Sequence, residues 1–308
     1  MLAGWPADRA ELGVYALGME YLRLESFPEL RSPVLICAFA GWNDAAGAAT
    51  GAARFVVQRF GARRFGGFDP EPFFDFREVR PLVRLTVRGV REIVWPQNEV
   101  FFARNPTGPH DVAVLLGTEP NLRWRTFAGE VLELAERLGV ELVVSLGALL
   151  ADVPHTRPVR VTGSALDAAV AERLGLQPSR YEGPTGIVGV LHALLRERGI
   201  PGATLWANVP HYLTSSQNPG ATAALARRVS ELLGVEFDLR ELDAAALRFV
   251  AEVEGAIQAN PEAQEYVRRL EAAYEEGGQE QPQLPRGEDL VLDIERFLRE
   301  QREGGNSG

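Results

Sequence analysis

Four stretches of this 308-residue chain are apolar without alternation: VLICAFA (34–40), DVAVLLG (111–117), ELVVSLG (141–147) and ATLWANV (203–209). A strand with one face in water alternates apolar and polar residues, so an unbroken run implies burial on both faces. Helix-period segments lie between and after them, predicted over 44–60, 123–138, 166–174, 186–199 and 219–233. Gly139 and Gly199 stand where two of these helices stop. VRVTGSA (159–165) reads as one further strand. Strands alternating with helices in this way imply an α/β protein: a three-layer α/β/α sandwich around a mainly parallel sheet.

Two regions depart from that rhythm. REIVWPQNEVFFARN contains two strand-like pieces around Pro96-Gln97-Asn98, which reads as an antiparallel β-hairpin inserted at the sheet edge. After about residue 240 strand signals cease. ELDAAALRFVAEVEGAIQAN and PEAQEYVRRLEAAYEE read as helices, the second opening on a proline. GGQEQPQLPRGED reads as a flexible linker, Leu290–Arg299 as a last short helix, and EGGNSG as a disordered tail. The expected division is an α/β domain over 20–240 and a helical C-terminal extension over 241–308. No internal repeat is present.

Charge excludes some partners. The net charge is −10, of which residues 251–308 hold −8, from 14 acidic and 6 basic residues. Neither part offers the basic face that nucleic acid requires. The apolar runs fall short of the roughly 20 residues of a membrane span. The opening MLAGWPADRAELG carries charges of both signs and no apolar core, so no secretory signal is readable. A cytoplasmic protein is expected.

Residue usage excludes several chemistries. All 32 basic residues are arginine. That rules out the P-loop lysine, Schiff-base catalysis, anchoring of pyridoxal phosphate and the kinase lysine. The single cysteine, Cys37, lies inside a strand and allows neither an internal disulfide nor a cysteine zinc site. G-x-S-x-G, H-E-x-x-H and a dinucleotide G-x-G-x-x-G are all missing. No cofactor or metal is expected.

The unusual polar residues fall in the turns after the four apolar strands: GWND (41–44), GTEPNLRW (117–124), GALLADVPHTRP (147–158) and NVPHYL (208–213). In an open parallel sheet those turns share one edge, where ligands bind. The candidate binding residues are therefore Trp42, Asn43, Asp44, Glu119, Asp152, His155, Thr156, Arg157, His211 and Tyr212. YEGPTGIVGVL (181–191) adds Glu182 and Thr185 beside a turn that opens a helix. Each also has a structural reading. Asn43 or Asp44 reads first as an N-cap, Thr185 as the cap of the helix after Gly186, and Trp42 as a core anchor. His155 and His211 are placed to pair with Asp44 or Asp152. Arg157 reads equally as an anion-binding group or as a bridge between protomers. His110 and His192 read as structural. No catalytic residue is assigned.

FAGWNDAAGAATGA, GTEPNLRWRTFA, LGALLADVPHTRPV, YEGPTGIVGVL and NVPHYL together resemble the bacterial, chiefly actinobacterial, branch of the proteasome assembly chaperone two family, from about Tyr21 to Phe237. The resemblance implies a fold similar to nucleoside phosphorylases and related hydrolases. It also implies a non-catalytic homo-oligomer, with three copies the number expected, that serves as chaperone or adaptor for proteasome-related complexes. Relatives that dock on the proteasome often finish in hydrophobic–Tyr–any residue, whereas this sequence ends GGNSG. The helices after 240 lie outside the minimal family domain. The competing expectation is a small-molecule or hydrolase-like pocket at the carboxyl edge of the sheet.

Overall fold

Along Val34–Ala40 (β2) successive side chains enter different layers. Val34, Ile36 and Ala38 pack with one set of helices, and Leu35, Cys37 and Phe39 with another. This is the period-2 pleat operating where both faces are dry. The computed structural model describes residues 19–87, 89–177, 181–213, 217–258 and 260–275. The remaining elements are β1 (Leu22–Leu24), α1 (Ala48–Arg59), β3 (Arg63–Phe68), β4 (Leu82–Leu85), β5 (Arg91–Val94), β6 (Asn98–Ala103), β7 (Val112–Thr118), α2 (Trp124–Leu138), β8 (Leu142–Ala151), β9 (Val161–Ala165), α3 (Ala168–Leu174), α4 (Ile187–Arg198), β10 (Gly202–Pro210), α5 (Pro219–Leu233), α6 (Arg240–Gln258) and α7 (Pro261–Glu275).

Eight strands form one sheet in the order β1-β3-β6-β7-β2-β8-β10-β9. The central four, β7, β2, β8 and β10, run parallel, and the flanking strands are antiparallel. α1 and α5 cover one face, while α2 and α4 cover the other. The chain is thus a three-layer α/β/α sandwich. α1 sits close to the sheet because Ala48, Ala49, Ala52 and Ala53 form its buried stripe. On the opposite face Gly147 leaves room for the ring of Trp206; a Cβ there would come within 2.3 Å of it.

The inserted hairpin differs from the expected one. β5 does not pair with β6. It pairs with β4 in a separate two-stranded sheet, Leu82 opposite Val94 and Leu85 opposite Arg91. β6 instead enters the main sheet between β3 and β7. The segment Trp95–Gln97 therefore carries the chain into the sheet and makes no reversal. Its Gln97 carbonyl accepts the Thr118 amide at 3.2 Å. The reversal lies at 86–90, where the Thr86 amide donates to the Val90 carbonyl.

The helices after 240 are present and packed. Tyr212 and Leu213 share a third apolar cluster with Phe249, Val253, Ile257, Tyr266, Val267 and Leu270. The linker, the helix over 290–299 and the tail read from the sequence lie outside the described residues. Among the described residues no helix is long and apolar enough to cross a membrane.

Candidate functional site

Because β7, β2, β8 and β10 are adjacent and parallel, the turns that follow them share one edge. Within that edge the polar residues form two groups. The first surrounds the starts of α1 and α4. Asp44 is buried, and its Oδ1 accepts the Ala49 amide at 2.7 Å and the Thr50 amide at 3.3 Å. Its Oδ2 accepts the Thr50 hydroxyl at 2.5 Å. Asp44 is therefore the acceptor for the first free amides of α1, as expected of a cap, although a 3₁₀ turn over Ala45–Gly47 separates it from the helix. Burial raises its carboxyl above the usual range; the Thr50 hydroxyl and the two amides act against that shift.

The other helix start corrects an expectation. Thr185 does not cap α4, since its hydroxyl points to the Gly186 carbonyl at 3.5 Å. The acceptor comes from the loop after β7: Glu119 Oε1 takes the Ile187 amide at 2.8 Å and the Asn43 side-chain amide at 3.4 Å. A carboxylate at a helix N-terminus is favoured both by the unpaired amides and by the helix dipole. Gly186 makes the approach possible, because a Cβ there would lie 2.4 Å from that Oε1. The glycine turn does face an anion, and the anion is the protein's own. Glu182 and Thr185 are exposed.

Trp42 is 65% exposed, which overturns its reading as a core anchor. Gly41, with φ of +135°, turns the chain at the end of β2 and sends the indole outward while Asn43 and Asp44 turn inward.

The second group gathers Asp152, His155, Thr156, Arg157, His211 and Tyr212 beneath α7. Tyr212 is fully buried. Its hydroxyl accepts the His155 backbone amide at 2.9 Å and lies 2.8 Å from His155 Nδ1. The hydroxyl can donate to Nδ1 or accept from it, leaving Nε2 with the imidazole proton in one tautomer and with a lone pair in the other. That Nε2 is buried without a hydrogen-bond partner. Burial lowers the imidazole pKa to about 4, against a small opposing pull from Glu271. Burial also pushes the Tyr212 phenol up, so it stays a hydroxyl.

His211 Nδ1 lies 3.2 Å from Asp152, and its Nε2 lies 3.1 Å from the Tyr266 hydroxyl. Thr156 donates to Glu271, and Arg157 pairs with Glu271 at 3.2 Å and with Glu275 at 2.6 Å. Tyr274 donates to the Pro158 carbonyl at 2.9 Å, while the Arg160 guanidinium stacks 3.7 Å from the Tyr274 ring. Sequence reasoning missed Tyr266, Glu271, Tyr274 and Glu275. Their helical spacing is visible in EYVRRLEAAYEE, but nothing in it names the loops they meet.

Of the histidine pairings expected, His211 with Asp152 forms and a pairing with Asp44 does not. Backbone alone joins the two groups, through the Ala148 amide on the Asn43 carbonyl at 2.9 Å. Cys37 is fully buried, which raises its thiol. His192 is buried against Ser145, 3.0 Å from its hydroxyl, and His110 Nδ1 lies 2.9 Å from the Ser32 carbonyl. Among the described residues no three His, Cys, Asp or Glu side chains stand together as a metal site. A hollow of about 160 Å³ lies at the opposite edge of the sheet, lined by Val34, His110, Glu141, Leu142, Arg173 and Glu231. It is small for a ligand pocket and touches none of the candidate residues.

With this geometry in hand, relatives can be compared. The PAC2 family matches residues 38–257, a span that reaches through most of α6. A PAC2 family protein from Streptomyces avermitilis is 43% identical, covering 76% of this chain and 99% of its own, with a TM-score of 0.71. A proteasome-assembly chaperone homologue from Mycobacterium tuberculosis is 46% identical over the same shares, with a TM-score of 0.69. An archaeal proteasome activator from Pyrococcus furiosus, 19% identical, covering 81% of this chain and 98% of its own with a TM-score of 0.60, shares the fold. Comparison with curated proteins gives no match. The sandwich, the loop motifs at its carboxyl edge and the match over most of its length show that this chain belongs to the PAC2 family.

Proposed function

We propose that this protein is a non-catalytic homo-oligomer of the cytoplasm that acts as a chaperone or adaptor for proteasome-related complexes. One observation carries the reading: the titratable groups at the carboxyl edge are committed to holding structure. Asp44 and Glu119 serve helix amides, the Tyr212 hydroxyl holds His155, and Arg157 is paired with α7. A catalytic acid or base needs a free lone pair or proton facing substrate. Here those atoms are bonded within the protein, except His155 Nε2, which is buried away from solvent. Kinship with a proteasome-assembly chaperone homologue supports the choice of partner. Native mass spectrometry of the purified protein with proteasome α-type subunits is the test. A defined complex is expected, and failure to bind any such subunit or assembly intermediate overturns the proposal.

A second reading has one observation in its favour. His155 Nε2, in the loop after β8, and Asn208 Oδ1, near the end of β10, are each buried without a partner, and a small polar ligand reaching either would satisfy it. Thermal shift against nucleosides, phosphate and small metabolites tests it, and a flat response across that panel ends it.

A further inference from the structure

Among the described residues most exposed large apolar side chains collect in two places, Tyr181 and Leu247 aside. The first is the β4–β5 hairpin. Leu82 is 66% exposed, and Val83, Leu85, Val87, Val90 and Ile93 are comparably open. Leu82 and Val94 lie on one face of the hairpin, and Val83 and Ile93 on the other; Leu82, Val83 and Ile93 are exposed and Val94 is half-buried. A two-stranded sheet in water is at best marginally stable, and an open apolar edge invites pairing. The second place is the carboxyl edge of the main sheet, where Trp42, Leu122, Leu149 and Leu150 face solvent. Leu149 and Leu150 are successive on β8 and point to opposite faces of the sheet, so apolar side chains are exposed around this edge on both faces, as suits an interaction surface.

We infer that the hairpin is an arm that docks on the carboxyl edge of a second copy of this chain. Charge selects that occupant. Residues 80–95 contain Arg80, Arg84, Arg88 and Arg91 against Glu92, a net +3 in a chain of net −10. At the carboxyl edge Arg157 is engaged by Glu271 and Glu275 and Arg123 lies over the Tyr21 ring, while Arg125 is exposed. Glu182 is exposed there, and Asp152 is exposed while paired with His211. A cationic apolar arm therefore meets a second copy of net negative charge whose apolar edge exposes Glu182. Position favours reciprocity as well. β6 begins at Asn98, opposite Gly117 near the carboxyl end of β7, so the arm leaves the body at the same edge that bears the patch. One arm-to-edge contact repeated around a rotation axis gives each copy a covered arm and a covered edge, which is how a closed ring forms.

The inference rests on the homo-oligomer reading above, and its test separates the two. Light scattering and native mass spectrometry would compare the wild type, an arm variant (Val83→Thr, Leu85→Thr, Ile93→Thr) and an edge variant (Trp42→Ser, Leu150→Ser). Circular dichroism and melting would check that each variant is folded. Each is expected to weaken self-association about 100-fold or more, as loss of central interface anchors does. Oxidising a mixture of Leu85→Cys and Leu150→Cys chains should yield a dimer joining one chain of each kind; the native Cys37 is buried and does not compete. A wild-type oligomer that the arm variant leaves intact, or that yields no mixed cross-link, overturns the arm contact while the homo-oligomer reading stands. A monomeric wild type overturns both. Arm-dependent binding of a monomer to vesicles of phosphatidylcholine and phosphatidylserine would instead assign the arm to an anionic membrane and also overturn the inference.

Discussion

On one side of the carboxyl edge, the acceptors for open helix amides come from loops of the α/β sandwich itself: Asp44 serves the start of α1 and Glu119 the start of α4. On the other side the loops after β8 and β10 bind each other, His155 to Tyr212 and Asp152 to His211, and take their remaining partners from α7. Tyr266 lies 55 residues from His211, and Glu275 lies 118 residues from Arg157. Loops that close on themselves keep their geometry when a peripheral element loosens. Loops held by a distant helix keep it only while that helix is docked. The first half of the edge should therefore fail with the whole molecule, and the second half should open locally below the global unfolding free energy.

Acid gives the largest expected effect and reports on both regions together. His155 lies in the α7-dependent half and His192 in the sandwich between α4 and β8. Burial lowers both to about 4 from an unfolded value of 6.5, with Arg196 adding to the depression of His192. Between those values the unfolded chain binds protons that the folded chain refuses. Stability is therefore complete above the unfolded value and falls as the pH drops towards the folded one. At pH 5 the loss is about 2 kcal/mol per histidine, about 4 together. Asp44, whose carboxyl is raised by burial, works in the opposite direction. Melting curves between pH 7.5 and 5 should show the fall. His155→Gln and His192→Gln should each remove about half of it. An undiminished fall in the double variant would place the acid response elsewhere.

Asp44→Ala comes next, at about 3 kcal/mol. It removes a cap and leaves two helix amides and the Thr50 hydroxyl without their buried acceptor. Because the change lies in the sandwich, the whole melting transition should move as one. Hydrogen exchange confined to α6 and α7 would contradict the division drawn above. Tyr212→Phe should cost about 1 to 2 kcal/mol, from the His155 amide and Nδ1 losing their shared hydroxyl. Here exchange should rise first over 147–158 and α7, ahead of α1 and α2. Uniform exchange would show that the histidine side does not open separately.

The same contrast explains what could be read from residues alone. β2, β7, β8 and β10 were legible because burial on both faces leaves an unbroken apolar run, and their parallel order brought the correct loops to one edge. The starts of α2, α3, α4 and α5 were legible to within two residues, whereas α1 begins at Ala48, four residues past Asp44, because a 3₁₀ turn intervenes. Pairing was not. Both strand-like pieces of REIVWPQNEVFFARN are strands, but their register belongs to β4 on one side and to β3 and β7 on the other. Turn composition could not reveal those distant edges. Trp42 was misread because an indole after a buried strand carries no periodic signal; the φ of Gly41 decides its direction. Glu119 was placed at the edge, yet its role as the cap of α4 depends on Gly186, 67 residues further along.

The smallest effect sharpens the question of what holds α7 in place. Arg157 lies beside Glu271 and Glu275 at a partly exposed site, where screening by water leaves ion pairs with little net contribution. Ala263, Tyr266, Val267 and Leu270, in contrast, are buried in the cluster shared with Tyr212. If apolar burial docks the helix, Arg157→Ala should leave the melting temperature unchanged and speed amide exchange only in the last turn, near Glu275. Leu270→Ala should then expose the whole helix and, through Tyr212, the His155 loop. A shift of the entire melting curve by Arg157→Ala alone would mean that the ion pairs hold α7, and the histidine side would then be as sensitive to salt as to packing.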